Sequence, residues 1–234
     1  MSIEEITLEV LAERALSDFD SKALVAWAVK MLHYGQESEN LFILAGLDYE
    51  ATDEREKYFQ KSLADLNLPL GQSEETLIAN YATLIAKKTV SGIIEIDFAL
   101  KQMTKIVFAT EYDLRYIAFY EIDEDLDLLH YGESVLFNPG LAVQNYREFI
   151  LEEFKIFLEM KRLNIPLEER NYSYCISCSK LVKPILKTKY QLRNPHRYQV
   201  WCCPDCKSEK LRFSSEHAVK WLIIERYKEN EQNT

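Results

Sequence analysis

The sequence predicts a mainly α protein. A helical bundle or array comes first, then a small β-rich module that carries every cysteine and ends in a closing helix. Three observations support this. Apolar residues recur at helical spacing through the first 165 positions. Only 6 Gly and 6 Pro occur among 234 residues, too few for a loop-rich all-β fold. All 5 cysteines fall between 175 and 206, where short β-prone runs replace the helical stripes. A chain of this length suits one or two domains, and "NIPLEERN" is the expected boundary. That places an α-helical domain at 1–165 and the cysteine module with its helix at 166–234.

The elements follow in order. Asp20 and Ser21 are candidate caps for "KALVAWAVKMLHY", which Gly35 closes. Leu24, Val25, Ala28 and Leu32 share a face there. Ser38 caps a short helix in "ENLFILAGL". Asp53 and Glu56 have the form of a capping box opening "EREKYFQKSLADL", with a stripe of Tyr58, Phe59, Leu63 and Leu66. Ser73 caps "EETLIANYATLIAKKTV", striped by Leu77, Ile78, Tyr81, Leu84 and Ile85 and ended by Gly92. The next segment places Ile96, Leu100, Met103 and Val107 together.

"DLRYIAFYEIDEDLDLLHYGE" reads as one or two short helices. Asn138, Pro139 and Gly140 break the chain. A long helix is expected from about Leu141 to Leu163. Its apolar face is Val143, Tyr146, Ile150, Phe154, Phe157 and Leu158, with Glu148, Glu152, Glu153 and Lys155 largely elsewhere. These stripes read as core, and short connections between them give a bundle or array. Beyond the boundary, "LVKPILKTKYQ", "RYQVW" and "KLRF" are short strand candidates. Ser214 or Ser215 caps "EHAVKWLIIERY", with Ala218, Val219, Leu222 and Ile223 on one face. "KENEQNT" reads as a frayed polar tail.

The cysteines carry the chemistry. Cys175-x₂-Cys178 and Cys203-x₂-Cys206, separated by 24 residues, form a Cys₄ set. Each C-x₂-C turn brings two thiolates to one point, and four soft ligands suit tetrahedral Zn²⁺. The segment 172–213 resembles a zinc ribbon, and "CPDC" matches that module's second knuckle. Ser179 and Lys207 depart from the pattern, since such knuckles often carry Gly after the second ligand. The alternatives are an iron–sulfur cluster, five unrelated buried cysteines, or a Cys202-x₃-Cys206 pair. Adjacent strand residues point to opposite faces, so Cys202 and Cys203 do not both ligate easily, and Cys202 reads as a small buried hydrophobe. His196 and His217 lack ligand spacing. Four thiolates leave no open position for a substrate water, so the metal is expected to be structural. A module of about 40 residues buries too little apolar surface to fold securely alone. Structural zinc supplies about 10–16 kcal/mol of apparent binding energy in small zinc-finger peptides.

A second resemblance lies in the helical part. "WAVKMLHYGQESENLFILAGL" followed by "EREKYFQKSLADLNL" resembles a helical domain of uncharacterised bacterial proteins, most clearly over residues 24–92. No activity is established for that family. Small helical proteins of this kind can sit beside bacterial toxins, so the resemblance implies an immunity-type, partner-binding role.

Charge is unevenly spread. Residues 172–212 carry nine positive and two negative side chains, a net +7 in a chain whose total is -10, so the remainder holds -17. The basic module either docks on the acidic part or offers a surface to phosphate or an acidic protein. Lys183, Lys187, Lys189, Arg193 and Arg197, interleaved with Tyr190 and Tyr198, are the candidate surface. Cations with stacking rings are what single-stranded nucleic-acid sites use.

Other constellations fail on inspection. Asp123-x-Asp125-x-Asp127 imitates an EF-hand start, but Leu128 and Ser134 stand where Gly and Glu are required. The acids of "EIDEDLD" therefore read as a solvated face. His33 and His130 read as satisfied structural histidines. No P-loop, Rossmann glycine run, G-x-S-x-G or H-E-x-x-H occurs. No stretch approaches the ~18 apolar residues of a membrane span. Acids in "MSIEEITLEV" replace the positive charge of a signal peptide, so a cytoplasmic location is expected. The leading expectation is a non-enzymatic zinc-binding interaction or regulatory protein with a protein partner. Nucleic-acid binding through the ribbon is the second, and an enzyme with a site on the helical domain is the third.

Overall fold

The computed structural model describes residues 2–16, 19–68 and 72–232. Among these, ten helices and five short strands follow one another, with the strands confined to the cysteine region. The mainly α class is as expected. The chain divides into two compact units: residues 1–85 with 105–111, and 86–104 with 112–234. The expected boundary near 166 lies inside the second unit, at a single helical turn.

In the first unit, α1 (Ile3–Ala15) begins at Ser2, whose Oγ accepts from Glu5 N at 3.2 Å. α2 (Lys22–His33) is headed by Asp20, whose carboxylate accepts from Lys22 N at 2.9 Å. It ends where Gly35 takes a φ of 75° and Gln36 N reaches back to Met31 O. Ser38 caps α3 (Glu39–Ala45) through Leu41 N at 3.1 Å, as its position predicted.

The capping box at Asp53 does not form. α4 (Thr52–Asp65) starts two residues earlier, with Ala51 at the cap position, so Asp53 lies in its first turn. Glu56 pairs instead with Arg14 at 2.8 Å. Trp27, Met31, Leu41, Leu44, Phe59 and Leu63 fill this unit's core. The Trp27 indole stands edge-on to Phe59 at 4.9 Å and donates to Thr7 Oγ1 at 3.2 Å.

α5 (Glu74–Val90) and α6 (Ile96–Ala109) follow the predicted stripes. Ser73 Oγ accepts from Thr76 N at the start of α5. Gly92 at φ 71° turns the chain after it.

In the second unit, "YIAFYEIDEDLDLLH" forms one helix, α7 (Ile117–His130). Its acids are not a uniformly solvated face. Asp125 is fully buried and accepts from the backbone amides of Leu136, Phe137 and Asn138 and from Asn138 Nδ2, at 2.6–3.2 Å. This carboxylate thereby organises the loop after the helix. His33 and His130, expected as satisfied structural side chains, are exposed at the ends of α2 and α7.

The long helix α8 (Tyr146–Arg162) begins later than the expected Leu141. Asn145 closes a turn ahead of it, accepting from Ala142 N and donating to Gly140 O, both at 2.9 Å. Val143 therefore precedes the helix and is exposed, not part of its apolar face. α8 stacks on α7 through Phe119 and Phe154, with ring centroids 4.7 Å apart.

The single turn α9 (Leu167–Arg170) leads into β1 (Ser173–Cys175), which pairs antiparallel with β2 (Lys180–Val182) and β5 (Leu211–Arg212). β3 (Ile185–Tyr190) and β4 (Arg197–Cys202) form a separate antiparallel hairpin.

The chain closes with α10 (His217–Gln232). It starts at Glu216, whose carbonyl accepts from Lys220 N at 3.2 Å, and not at Ser214 or Ser215. Val219, Ile223 and Ile224 are buried, whereas Ala218 is exposed. The expected frayed tail is helical to 232, and 233–234 lie outside the described residues. Val219, Ile223 and Ile224 pack with Ile156, Met160 and Leu163 of α8, and Tyr172, Tyr174 and Leu181 lie against them. The cysteine module thus rests on a two-helix platform.

Candidate metal centre

β1 delivers Cys175 at its end, and the turn that follows delivers Cys178. β4 ends at Cys202, and the turn beyond it carries Cys203 and Cys206. The two turns are built alike. Ser179 N donates to Cys175 O at 2.8 Å, and Lys207 N to Cys203 O at 3.0 Å. Ser179 and Lys207 take φ of 56° and 60°, the left-handed conformation where glycine is cheapest. Their departure from the glycine pattern is real, and the chain adopts the required backbone regardless. Cross-links tie the turns together: Cys203 N donates to Ser208 O at 2.8 Å, Ile176 N to Lys210 O at 3.0 Å, and the Ser177 and Ser208 hydroxyls meet at 2.7 Å.

The four sulfurs of Cys175, Cys178, Cys203 and Cys206 lie within 4.8 Å of one another. Cys175 and Cys206 are 3.5 Å apart, and Cys178 and Cys203 3.7 Å. A tetrahedron with Zn–S bonds of about 2.3 Å has S···S edges of about 3.8 Å. The four sulfurs are therefore positioned to hold a metal ion.

Burial pushes the Cys175 thiol up, but the Cys178 and Ser177 amides and neighbouring sulfurs outweigh it, bringing the thiol down to about 7. Cys178 moves the other way, to about 12, through burial and the surrounding thiols. Four sulfurs this close cannot all become thiolates without a compensating cation, and a metal ion held by them would supply that charge. Val182 and Leu211 shield the cluster on its apolar side. Cys202 is buried, lies outside the set and pairs across the hairpin with Ile185. None of the five cysteines forms a disulfide.

The candidate basic and aromatic residues spread over the hairpin. Directly opposed residues share a face and successive ones alternate. One face therefore carries Leu186 with Trp201, Thr188 with Gln199, and Tyr190 with Arg197; the other carries Lys187 with Val200 and Lys189 with Tyr198. Arg193 sits in the connecting loop and Lys183 before β3. Lys189 pairs with Glu209, and Lys180 with Asp205 at 3.0 Å, so the module's own two acids hold two of its lysines. Arg212 pairs with Glu216. Lys183, Lys187, Arg193, Arg197 and Tyr190 are exposed.

One polar cluster lies outside the residues expected from the sequence. Glu153 of α8 is buried, with Lys220 Nζ at 2.6 Å and His217 Nε2 at 3.0 Å from the same carboxylate oxygen. Burial pushes Glu153 up, but Lys220 and His217 outweigh it and hold it near 2. A signal was present, because Phe149, Ile150, Ile156 and Phe157 flank Glu153 at helical spacing and place it on the apolar face.

No family model, no curated protein and no solved structure matches this chain. The resemblance of residues 24–92 to a bacterial helical family receives no support from these comparisons. No helix among the described residues is long and apolar enough to cross a membrane.

Proposed function

We propose that this chain is a non-enzymatic interaction protein whose Cys₄ site holds a structural Zn²⁺ and whose hairpin meets a protein partner. The observation that carries the reading is the four-sulfur cluster at the root of β3–β4, with spacing that suits a closed tetrahedral zinc shell. Zinc fits better than an iron–sulfur cluster because the S···S distances match one small ion, leaving no room for bridging sulfides. A closed shell leaves no position for a substrate, which favours scaffolding over catalysis.

What the metal scaffolds is an arm with an apolar and basic surface. Leu192 is 98% exposed at its tip, Tyr190 77% and Trp201 49%. Aromatic, apolar and arginine side chains gathered on one exposed element are the composition of a protein-binding surface. Free thiols suit a reducing compartment, and a cytoplasmic location is part of the proposal.

One observation favours nucleic acid as a second reading. Tyr190 and Arg197 stand side by side across the strands, a stacking ring beside a phosphate-binding cation.

Elemental analysis of the purified chain tests the metal, with about one zinc per chain expected. A substoichiometric result after purification without chelators rejects it. Crosslinking from the Leu192 and Tyr190 positions tests the surface. Capture of one protein, lost on Tyr190→Ala and Trp201→Ala, supports the leading reading. Oligonucleotide binding that weakens steeply with salt and on neutralising Lys187 and Arg193 replaces it with the second.

A further inference from the structure

The second unit holds a cavity of about 280 Å³, away from the sulfur cluster. Leu114, Phe157 and Met160 give it apolar walls, and Ser214, Ser215 and Asn171 add neutral polar groups. Five charged side chains also line it: Arg115, Glu121, Glu153, Arg170 and Lys220.

Three of the five are committed to protein partners. Lys220 and Glu153 pair at 2.6 Å, and Arg115 grips Asp113 through Nε and a terminal nitrogen at 2.9 and 2.6 Å. The remaining two make no ion pair among the described residues. Arg170 directs Nε to Ile165 O at 3.1 Å, and its terminal nitrogens make no further hydrogen bond or ion pair among the described residues. The Glu121 carboxylate makes none either. Both are half-buried. The cavity therefore leaves one guanidinium and one carboxylate on its walls, each without a hydrogen-bonded counter-charge.

We propose that this cavity binds a free α-amino acid with an apolar side chain. The ligand carboxylate accepts from the Arg170 fork, the ligand ammonium donates to Glu121, and its side chain lies against Leu114, Phe157 and Met160. A zwitterion is the complement of one leftover cation and one leftover anion. A planar guanidinium with two free terminal nitrogens suits a carboxylate better than a lone ammonium would. Pockets for drug-sized ligands run about 300–1,000 Å³, so a cavity just below that range takes a small molecule. Burial raises the Glu121 carboxyl, with Lys220 opposing and Glu153 and Asp125 adding to the rise; burial and Arg115 lower Arg170, with Asp113 opposing. A bound zwitterion opposes both shifts. The site uses none of the cysteines and none of the hairpin residues, so it stands apart from the proposed metal function.

Calorimetric titration of the full chain tests this. The probes are leucine, methionine and phenylalanine, beside N-acetyl-leucine, which lacks the ammonium, and leucinamide, which lacks the carboxylate. At least one free amino acid is expected to bind, and each blocked form of leucine to bind at least about tenfold more weakly than leucine. Absence of binding by all three at millimolar concentration overturns the proposal. So does equal binding of a blocked form. Arg170→Gln and Glu121→Gln should weaken the free ligand to a similar degree. Because the blocked ligands probe both ends in the unaltered protein, a variant that misfolds does not shelter the proposal.

Discussion

Asp125 sits amid a run of acids that looks built for solvent, yet it is the one that the fold buries. Its carboxylate accepts five hydrogen bonds from residues 136–138. Asp125→Ala leaves the buried Asn138 donors and the part-buried amides of Leu136 and Phe137 without their acceptor and is expected to cost about 2–4 kcal/mol. Urea unfolding should show it as a lower midpoint with an unchanged slope, and a midpoint equal to the parent would refute the role.

Glu153 gives a pH signature. Its carboxyl is held near 2 in the fold against an ordinary value of 4.5. The folded value is depressed, so the stabilisation is complete above about 4.5 and fades as pH falls towards 2. Glu153→Gln should cost on the order of 3 kcal/mol at neutral pH, with the gap to the parent closing as acid is added. A gap that stays constant across that window excludes the ion-pair account. At the metal, Cys178→Ser should drop zinc well below one per chain and loosen the cysteine module, as elemental analysis and tryptophan fluorescence of Trp201 would report.

Among elements, the paired cysteine turns are the most constrained. Each closes through a residue at positive φ, Ser179 or Lys207, where a Cβ is unfavourable. Ser179→Gly or Lys207→Gly should therefore stabilise the module by about 1 kcal/mol. Resistance to chelator-induced unfolding measures this, and weaker resistance in both variants contradicts it. α8 differs in that its boundary is set by a loop. Its stripe was legible from Ile150 onward, but the start was misplaced because the Asn145 turn satisfies its own polar groups within the loop. Side-chain bonds of that kind compete with helix and carry no periodic signal.

At the scale of the molecule, the chain joins a helical unit with an independent aromatic core to a second unit that contains the cysteine module. A chelator should act on them unequally. Hydrogen exchange after metal removal is expected to rise across 172–213, while α2 and α4, packed around Trp27 and Phe59, keep their protection. Uniform exposure of both regions would mean that the metal supports the whole chain. The charge imbalance belongs here too. Among the described residues, the ion pairs of the basic segment run to Asp205, Glu209 and Glu216, so the segment's remaining cations stay available to a partner.

The sequence by itself determined the helical class, the caps at Asp20, Ser38 and Ser73, the strand-rich cysteine region and the four sulfurs that converge, because each is written in local spacing or in a two-residue gap. It could not determine that Asp125 is buried, which hairpin residues face one another, or that Arg170 and Glu121 share a cavity. Those depend on contacts between residues far apart in the chain. Only packing α7, α8, α9 and α10 together removes water from one acid and leaves it on the next.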